Sequence, residues 1–115
     1  MVDTLEAGRR AVELASDKLA ADIVLLDLRG IPAFTDFFVI MTAEANRQIE
    51  AIAEDMAKSL KQMGLPMHHR EGQPDSGWVL LDFGGLVVHI FGEAQRELYD
   101  LERIWERAVP LLRVQ

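Results

Sequence analysis

The chain of 115 residues contains no cysteine, which excludes disulfide bonds, thiol catalysis and cysteine-bound metal. Long hydrophobic runs are also missing, so no segment is apolar enough to span a bilayer. The first residues, Met1 to Glu6, lack the basic and apolar layout of a secretory signal. From these absences we expect a soluble, cytoplasmic protein without a membrane partner.

Basic residues are scarce as well. The sequence holds 12 lysines and arginines against 19 acidic residues, a formal net charge of −7. Proteins that bind nucleic acid through its phosphates need a basic surface, so we expect no direct, sequence-specific contact with nucleic acid. Net charge influences association, and an acidic chain favours a basic protein as its partner.

The chain does contain enough apolar residues for a core. Hydrophobic residues make up 50% of the sequence, and a chain of this length buries about two-thirds of the surface that it exposes when unfolded. Its length falls within the usual range for one domain, and no linker or repeat divides it. The sequence therefore predicts a single domain over residues 1–115.

A β-hairpin is the most strongly predicted element. Two runs rich in β-branched and aromatic residues, Trp78–Phe83 and Leu86–Phe91, are separated by Gly84-Gly85. Glycine accepts the positive φ that two-residue hairpin turns require. The pattern therefore predicts a strand, a tight turn and a return strand.

The two faces of this hairpin differ in character, because side chains alternate along a strand. One face is purely apolar, and its members are Val79, Leu81, Phe83, Leu86, Val88 and Ile90. The other face is mixed, and its members are Trp78, Leu80, Asp82, Val87, His89 and Phe91. An acid and a histidine are poor core residues unless they find partners. The mixed face is therefore either a surface that meets a partner or an ordinary sheet face covered by the protein's own helix.

Hydrophobic periodicity predicts the remaining elements. A capping pattern at Asp3-x-x-Glu6 begins a helix that runs to about Ala20. Thr42 is a candidate N-cap for a second helix, which ends at Gly64. The strands expected outside the hairpin are Ile23–Leu28, Phe37–Met41 and Met67–Glu71.

A last helix is predicted after Gly92, and Pro110 should end or kink it. Its apolar stripe would consist of Leu98, Leu101, Trp105, Ala108 and Leu112, with Ile104 beside it. The order of all these elements predicts an α/β (α+β) fold, in which helices pack against a mixed sheet of about five strands.

A phosphoryl-transfer site of the nucleotidyltransferase kind would need two carboxylates spaced Asp-x-Asp or Asp-x-Glu on one strand, where they hold metal ions. The segment Thr35–Val39 offers Asp36 alone. Asp27 is interpreted as a strand-end residue that bonds to loop backbone. We therefore expect no catalytic residue, metal site or bound cofactor. A nucleotidyltransferase-like enzyme with an atypical metal site is the alternative.

A set of short segments along the chain matches one known family. These segments are Leu25–Gly30, Thr35–Ile40, Arg47-Gln48, Glu71-Gly72, Gly77–Gly84, Val87–Phe91, Arg96, Tyr99–Glu102 and Trp105. Together they resemble the ribosomal silencing factor (Iojap) family, in the family's order and over nearly the whole chain. One departure is the stretch Thr42–Asn46, because the family tends to have serine and glycine before its Arg-Gln pair.

The resemblance implies a fold related to the nucleotidyltransferases. It also implies binding to a basic protein on the joining face of the large ribosomal subunit, the fourteenth in large-subunit numbering. A factor bound there obstructs the small subunit sterically and represses translation when nutrients are scarce. We also expect a homodimer at high concentration that uses part of the mixed hairpin face.

On this hypothesis the partner-binding residues are Trp78, Leu80, Asp82, His89, Arg96 and Tyr99. Trp78 and Leu80 would form the apolar anchor, for which the alternative at Trp78 is a core or dimer contact. Asp82 would accept hydrogen bonds from a lysine or arginine of the partner. His89 and Tyr99 would add polar contacts. Arg96 would either pair with an internal acid or reach the partner.

Overall fold

The computed structural model describes residues 3–99 and 107–115. Its elements in chain order are α1 (Thr4–Asp17), β1 (Ala21–Asp27), β2 (Phe37–Thr42), α2 (Asn46–Gln62), β3 (His69–Glu71), a 3₁₀ turn (Pro74–Ser76), β4 (Trp78–Asp82), β5 (Leu86–Phe91), α3 (Glu93–Tyr99) and β6 (Val109–Val114). The α+β class predicted from the sequence is confirmed.

In the described part of the chain, six strands form one sheet in the order β3-β4-β5-β2-β1-β6. Strands β2 and β5 run parallel, whereas every other neighbouring pair is antiparallel. The sheet is therefore mixed, as expected, but the predicted number of about five strands was one too low. The additional strand, β6, lies at the edge beside β1.

Helices α1 and α2 cover one face of the sheet and build the larger hydrophobic core. The strands contribute apolar side chains that alternate with those of the opposite face, as in Val79 and Leu81 of β4, which are fully buried. A smaller cluster occupies the opposite face and includes Phe38, Val87 and Phe91. The hairpin thus has one face in each cluster.

The helix ends follow the predicted chemistry at two of three positions. The Asp3 carboxylate accepts a hydrogen bond from the amide of Leu5 and caps α1. Gly64 follows α2 with a φ of 94°, a conformation that glycine adopts without strain. The predicted N-cap of α2 was wrong, because Thr42 completes strand β2 and Ala45 is the N-cap residue.

The predicted course of the last helix was also wrong at its C-terminal end. Helix α3 covers Glu93–Tyr99, whereas Val109–Val114 is the edge strand β6. Leu98 is 75% exposed, so it does not anchor the expected apolar stripe. Proline lacks an amide donor but is tolerated in edge strands, which suits Pro110 of β6. Two predicted stripe residues, Leu101 and Trp105, and Ile104 beside the stripe lie outside the described residues.

Within residues 3–99 and 107–115, no helix combines the length and apolar character that a bilayer crossing requires.

Candidate functional site

The predicted hairpin forms, and its turn fixes the mixed face. Strands β4 and β5 pair antiparallel, with Trp78 opposite Phe91 and Leu80 opposite His89. Gly84 has a φ of 91° in the turn. The amide of Gly84 donates to the Asp82 carboxylate over 2.8 Å, so Asp82 holds the turn that begins two residues later.

An aromatic cluster lies on the mixed face, and its members are Phe38, Trp78, His89, Phe91 and Tyr99. The Trp78 ring centroid lies 5.0 Å from that of Phe91 and 4.5 Å from that of Tyr99. These are ordinary distances for favourable aromatic pairs. The indole is half-buried, and Tyr99 keeps 40% of its surface exposed. Some members of the cluster are therefore buried, whereas Trp78 and Tyr99 remain partly exposed to solvent.

His89 is hydrogen-bonded to the indole of Trp78. The indole Nε1–H donates to His89 Nδ1 over 3.2 Å, so the neutral imidazole carries its proton on Nε2. That Nε2 is buried and finds no hydrogen-bond partner among the described residues. Burial lowers the pKa of His89 from its usual 6.5 to about 4. Near neutral pH the imidazole is therefore an uncharged acceptor that fixes the indole orientation.

This geometry corrects one expectation. His89 was predicted to add polar contacts at the surface, but only 3% of it is exposed. It is a supporting residue of the mixed face, covered by its aromatic neighbours. Phe38, for example, meets the imidazole edge-on at a centroid distance of 4.7 Å.

A groove with a volume of about 280 Å³ opens beside the aromatic cluster. Its described lining residues are Glu71, Gly72, Ser76, Trp78, Leu80 and Tyr99. Three predicted site residues, Trp78, Leu80 and Tyr99, thus converge on one concave surface. Asp82 lies farther along the same face of β4, half-buried beside the turn.

Arg96 extends from α3 toward strand β2 rather than toward this groove. Its guanidinium donates to the hydroxyl of Thr42 over 3.1 Å, a contact within the protein. Arg96 also lines a second depression with Glu93, Glu97 and Arg113. The structure therefore separates Arg96 from the predicted residues around Trp78.

Three groove residues were not predicted as site residues, namely Glu71, Gly72 and Ser76. Glu71 pairs with Leu80 in the β3–β4 ladder, which places both side chains on the same face. The short β3 run was identified in the sequence, but its register with β4 was not. Only that register shows that Glu71 lies on the same face of the sheet as Trp78.

The carboxylate of Asp27 has a structural role at the end of its strand. Asp27 accepts from the backbone amide of Arg29 over 2.9 Å and pairs with its guanidinium, so the predicted strand-end role is confirmed. The hydrogen bond from the Arg29 side chain lowers the pKa of Asp27. Among the described residues, no group of three histidines, aspartates or glutamates is placed to hold a metal ion.

The fold and this site define a small α+β protein with a mixed sheet, whose outer face carries an aromatic cluster and a groove. A family model described as "Ribosomal silencing factor during starvation" matches residues 2–115. The chain belongs to the ribosomal silencing factor family, a family of regulatory proteins that act on ribosomes.

Individual relatives agree with this assignment. The chain is 37% identical over 95 residues to ribosomal silencing factor RsfS of Halalkalibacterium halodurans, covering 83% of this chain and 81% of the relative. A crystal structure of a protein from Chromobacterium violaceum superimposes with a TM-score of 0.84 at 32% identity, covering 90% of this chain and 87% of the other. "Mitochondrial assembly of ribosomal large subunit protein 1" of Mus musculus is 32% identical over 97 residues, covering 82% of this chain and 42% of the relative.

Proposed function

We propose that this protein silences translation by occupying the joining face of the large ribosomal subunit. The partner would be large-subunit protein number fourteen, and the bound factor would block the small subunit sterically when nutrients are limiting. The observation that carries the proposal is the aromatic cluster, with Trp78 and Tyr99 at the rim of an open groove. Partly exposed tryptophan and tyrosine beside a concave surface are typical of interaction hot spots.

Charge and relatedness support this choice of partner. The net charge of −7 favours a basic protein over bare RNA phosphates. The mouse relative carries the large ribosomal subunit in its name. In this proposal Trp78 and Leu80 form the apolar anchor, Tyr99 adds a polar edge, and Asp82 offers its carboxylate to a basic side chain. His89 acts only through Trp78, and Arg96 contributes from α3 outside the groove.

We further infer that residues 1–115 act as one domain in the cytoplasm, with a fold related to nucleotidyltransferases but without their catalysis. Asp36 remains the single acid of its segment, where that chemistry requires a carboxylate pair. Incubation with nucleoside triphosphates, magnesium and candidate acceptors should give no transfer. Turnover that disappears in Asp36→Ala would establish an enzyme instead.

We also infer a homodimer at high concentration, in which part of the mixed face is shared. The half-buried Trp78 and Leu80 supply apolar surface that association would remove from water. Sedimentation over a concentration series should show a dimer that dissociates when large subunits are added. A strict monomer at every concentration would exclude this dimer.

Co-sedimentation is the direct test of the proposed function. The protein should pellet with purified large subunits, fail to pellet with small subunits, and reduce joining when both subunits are mixed. Equal binding to small subunits, or normal joining on saturated large subunits, would contradict steric blocking.

Two variants connect this test to the mixed face. Trp78→Ala should weaken large-subunit binding about thirtyfold, the effect of losing a hot-spot aromatic side chain. Asp82→Asn keeps an acceptor for the Gly84 amide but removes the charge, and it should weaken binding by a smaller factor. Circular dichroism checks that both remain folded. Normal binding by both folded variants would place the interface elsewhere.

A further inference from the structure

The groove beside Trp78 has the make-up of a site for one cationic side chain. Two aromatic rings, those of Trp78 and Tyr99, stand at its wall with centroids 4.5 Å apart and an interplanar angle of 42°. Aromatic faces attract cations electrostatically. Leu80 adds an apolar contact that suits the methylene stem of a long basic side chain.

Glu71 supplies the matching negative charge. It is the only charged side chain among the described residues that line the groove. Its side chain is 65% exposed, and one carboxylate oxygen lies 3.1 Å from His69 Nε2. The second oxygen has no partner among the described residues, so it is available to a ligand. The ladder position opposite Leu80 directs Glu71 to the same face as the rings.

Two glycines bring the walls of the groove together. Gly72 has a φ of +86°, and a Cβ there would lie 2.0 Å from the carbonyl oxygen of Trp78. Gly77 has a φ of +80°, and a Cβ there would lie 2.3 Å from the side chain of Gln95 in α3. At Gly72 a Cβ would overlap backbone atoms of Trp78, so the end of β3 that bears Glu71 lies directly against the start of β4. At Gly77 the near atoms belong to the end of the Gln95 side chain, which places the helix bearing Tyr99 beside the same part of β4.

We propose that this groove binds a guanidinium group, presented by an arginine of the protein partner. The planar guanidinium stacks on aromatic rings and pairs with a carboxylate through a fixed fork of donors, which an ammonium does not provide. Glu71 is then a specificity residue of the interface, together with Trp78 and Tyr99. The identity of the partner rests on the proposed function, but the chemistry of the groove does not.

A small-molecule titration tests the groove by itself. N-acetyl-arginine methylamide is added to the 115-residue chain while the NMR signal of the Trp78 indole N–H is followed. Trp105→Phe serves as the background that leaves one indole. Glu71→Gln should weaken the response about fivefold, the upper range for the loss of a solvent-exposed ion pair. Glu54→Gln, an exposed acid on α2, is the matched control and should respond as the parent does.

The same titration, repeated with the corresponding lysine analogue, tests whether the groove prefers arginine or lysine. The lysine analogue should bind more weakly than the arginine analogue. Equal or tighter binding of the lysine analogue would overturn the guanidinium assignment, and so would an unchanged response in Glu71→Gln.

Binding to large subunits then separates this inference from the proposed function. Glu71→Gln should lower subunit affinity about fivefold and reduce its dependence on salt, whereas Glu54→Gln should change neither. If Trp78→Ala loses binding while Glu71→Gln binds normally, the guanidinium site is wrong and the proposed function stands. If the arginine probe binds through Glu71 but neither variant affects subunit binding, the groove chemistry stands and the proposed interface is wrong.

Discussion

The two faces of the β4–β5 hairpin share one backbone but differ in what covers them. On the first face, Val79, Leu81 and Ile90 are fully buried beneath α1 and α2. On the second face, Trp78 and Leu80 are only half-buried, although His89 between its aromatic neighbours is covered. The first face therefore contributes mainly to the stability of the fold. The second face arises from the same alternation of side chains, but part of its aromatic cluster stays accessible to solvent.

The consecutive leucines of β4 show the difference most directly. Leu81 is 0% exposed in the larger core, whereas Leu80 lines the groove. The same substitution at neighbouring positions thus tests a core face against a binding face. A substitution on the packing face should lower the free energy of unfolding. A substitution on the binding face should instead lower the affinity for the partner.

The largest expected effect on stability is at Leu81. Leu81→Ala should lower the free energy of unfolding by about 2–5 kcal/mol, because it leaves a cavity in a packed core. Leu80→Ala should cost less stability but weaken binding to large subunits. Urea unfolding and co-sedimentation of both variants measure the two quantities. Equal losses of stability at the two positions would remove the distinction between the faces.

A pH titration of stability tests how completely His89 is covered. Its pKa is about 4 in the folded protein and 6.5 when exposed, so the unfolded chain binds the proton first as pH falls. Above pH 6.5 His89 is neutral in both states and stability does not depend on its titration; between pH 6.5 and 4 the unfolded chain takes up the proton and the folded state loses stability relative to it. The loss amounts to roughly 3 kcal/mol.

The free energy of unfolding of wild type should therefore fall by roughly 3 kcal/mol relative to that of His89→Leu as pH falls from 7 to 4. Other titrating groups, including Asp27, are common to both proteins and cancel in the difference. A difference in the free energy of unfolding that stays constant over this range would show that His89 is not held neutral by burial.

A matched pair at the same residue tests whether His89 positions Trp78. Asparagine and leucine have similar shapes, but only asparagine can place an acceptor near the position of Nδ1. His89→Leu should shift the Trp78 indole N–H signal and weaken large-subunit binding about tenfold, as expected for one lost hydrogen bond. His89→Asn should restore both. If the two variants behave alike, His89 acts by filling space alone.

The smallest expected effect lies away from both faces, at the turn between α1 and β1. Leu19 has a φ of 65° and is 83% exposed, immediately after the C-cap residue Lys18. Glycine is favoured in this left-handed position, so Leu19→Gly should raise stability by up to about 1 kcal/mol. Thermal unfolding measures the gain, and subunit binding should not change. A loss of stability would mean that Leu19 makes a contact that outweighs its backbone strain.

Sequence reasoning succeeded where local chemistry decides the structure. Gly84-Gly85 predicts the turn by conformational preference, and alternation then assigns Leu80 and Leu81 to opposite faces. The same holds for Asp27, whose bond to the Arg29 amide is a contact between close neighbours. Asp3 likewise caps its own helix.

The errors occurred where a distant segment decides the structure. The apolar residues of Val109–Val114 fit a helical stripe as well as a strand, and only β1 selects the strand. Alternation placed His89 on the mixed face correctly, but its burial depends on what packs over that face. The groove required the register of β3 with β4, which brings Glu71 opposite Leu80. None of these pairings leaves a local pattern in the sequence.

The position of β6 also has a consequence for the order of folding. Pairing Ile23 with Val114 closes a loop of roughly ninety residues, which carries a larger entropic cost than closing the two-residue hairpin turn. During synthesis, β1 cannot gain its outer neighbour until the residues of β6 have left the ribosome. We expect pulse-labelled hydrogen exchange to protect the amides of β5 before those of β6, and earlier protection of β6 would reverse this order. A protein that silences ribosomes would thus complete its own sheet only after the ribosome has translated the chain as far as β6.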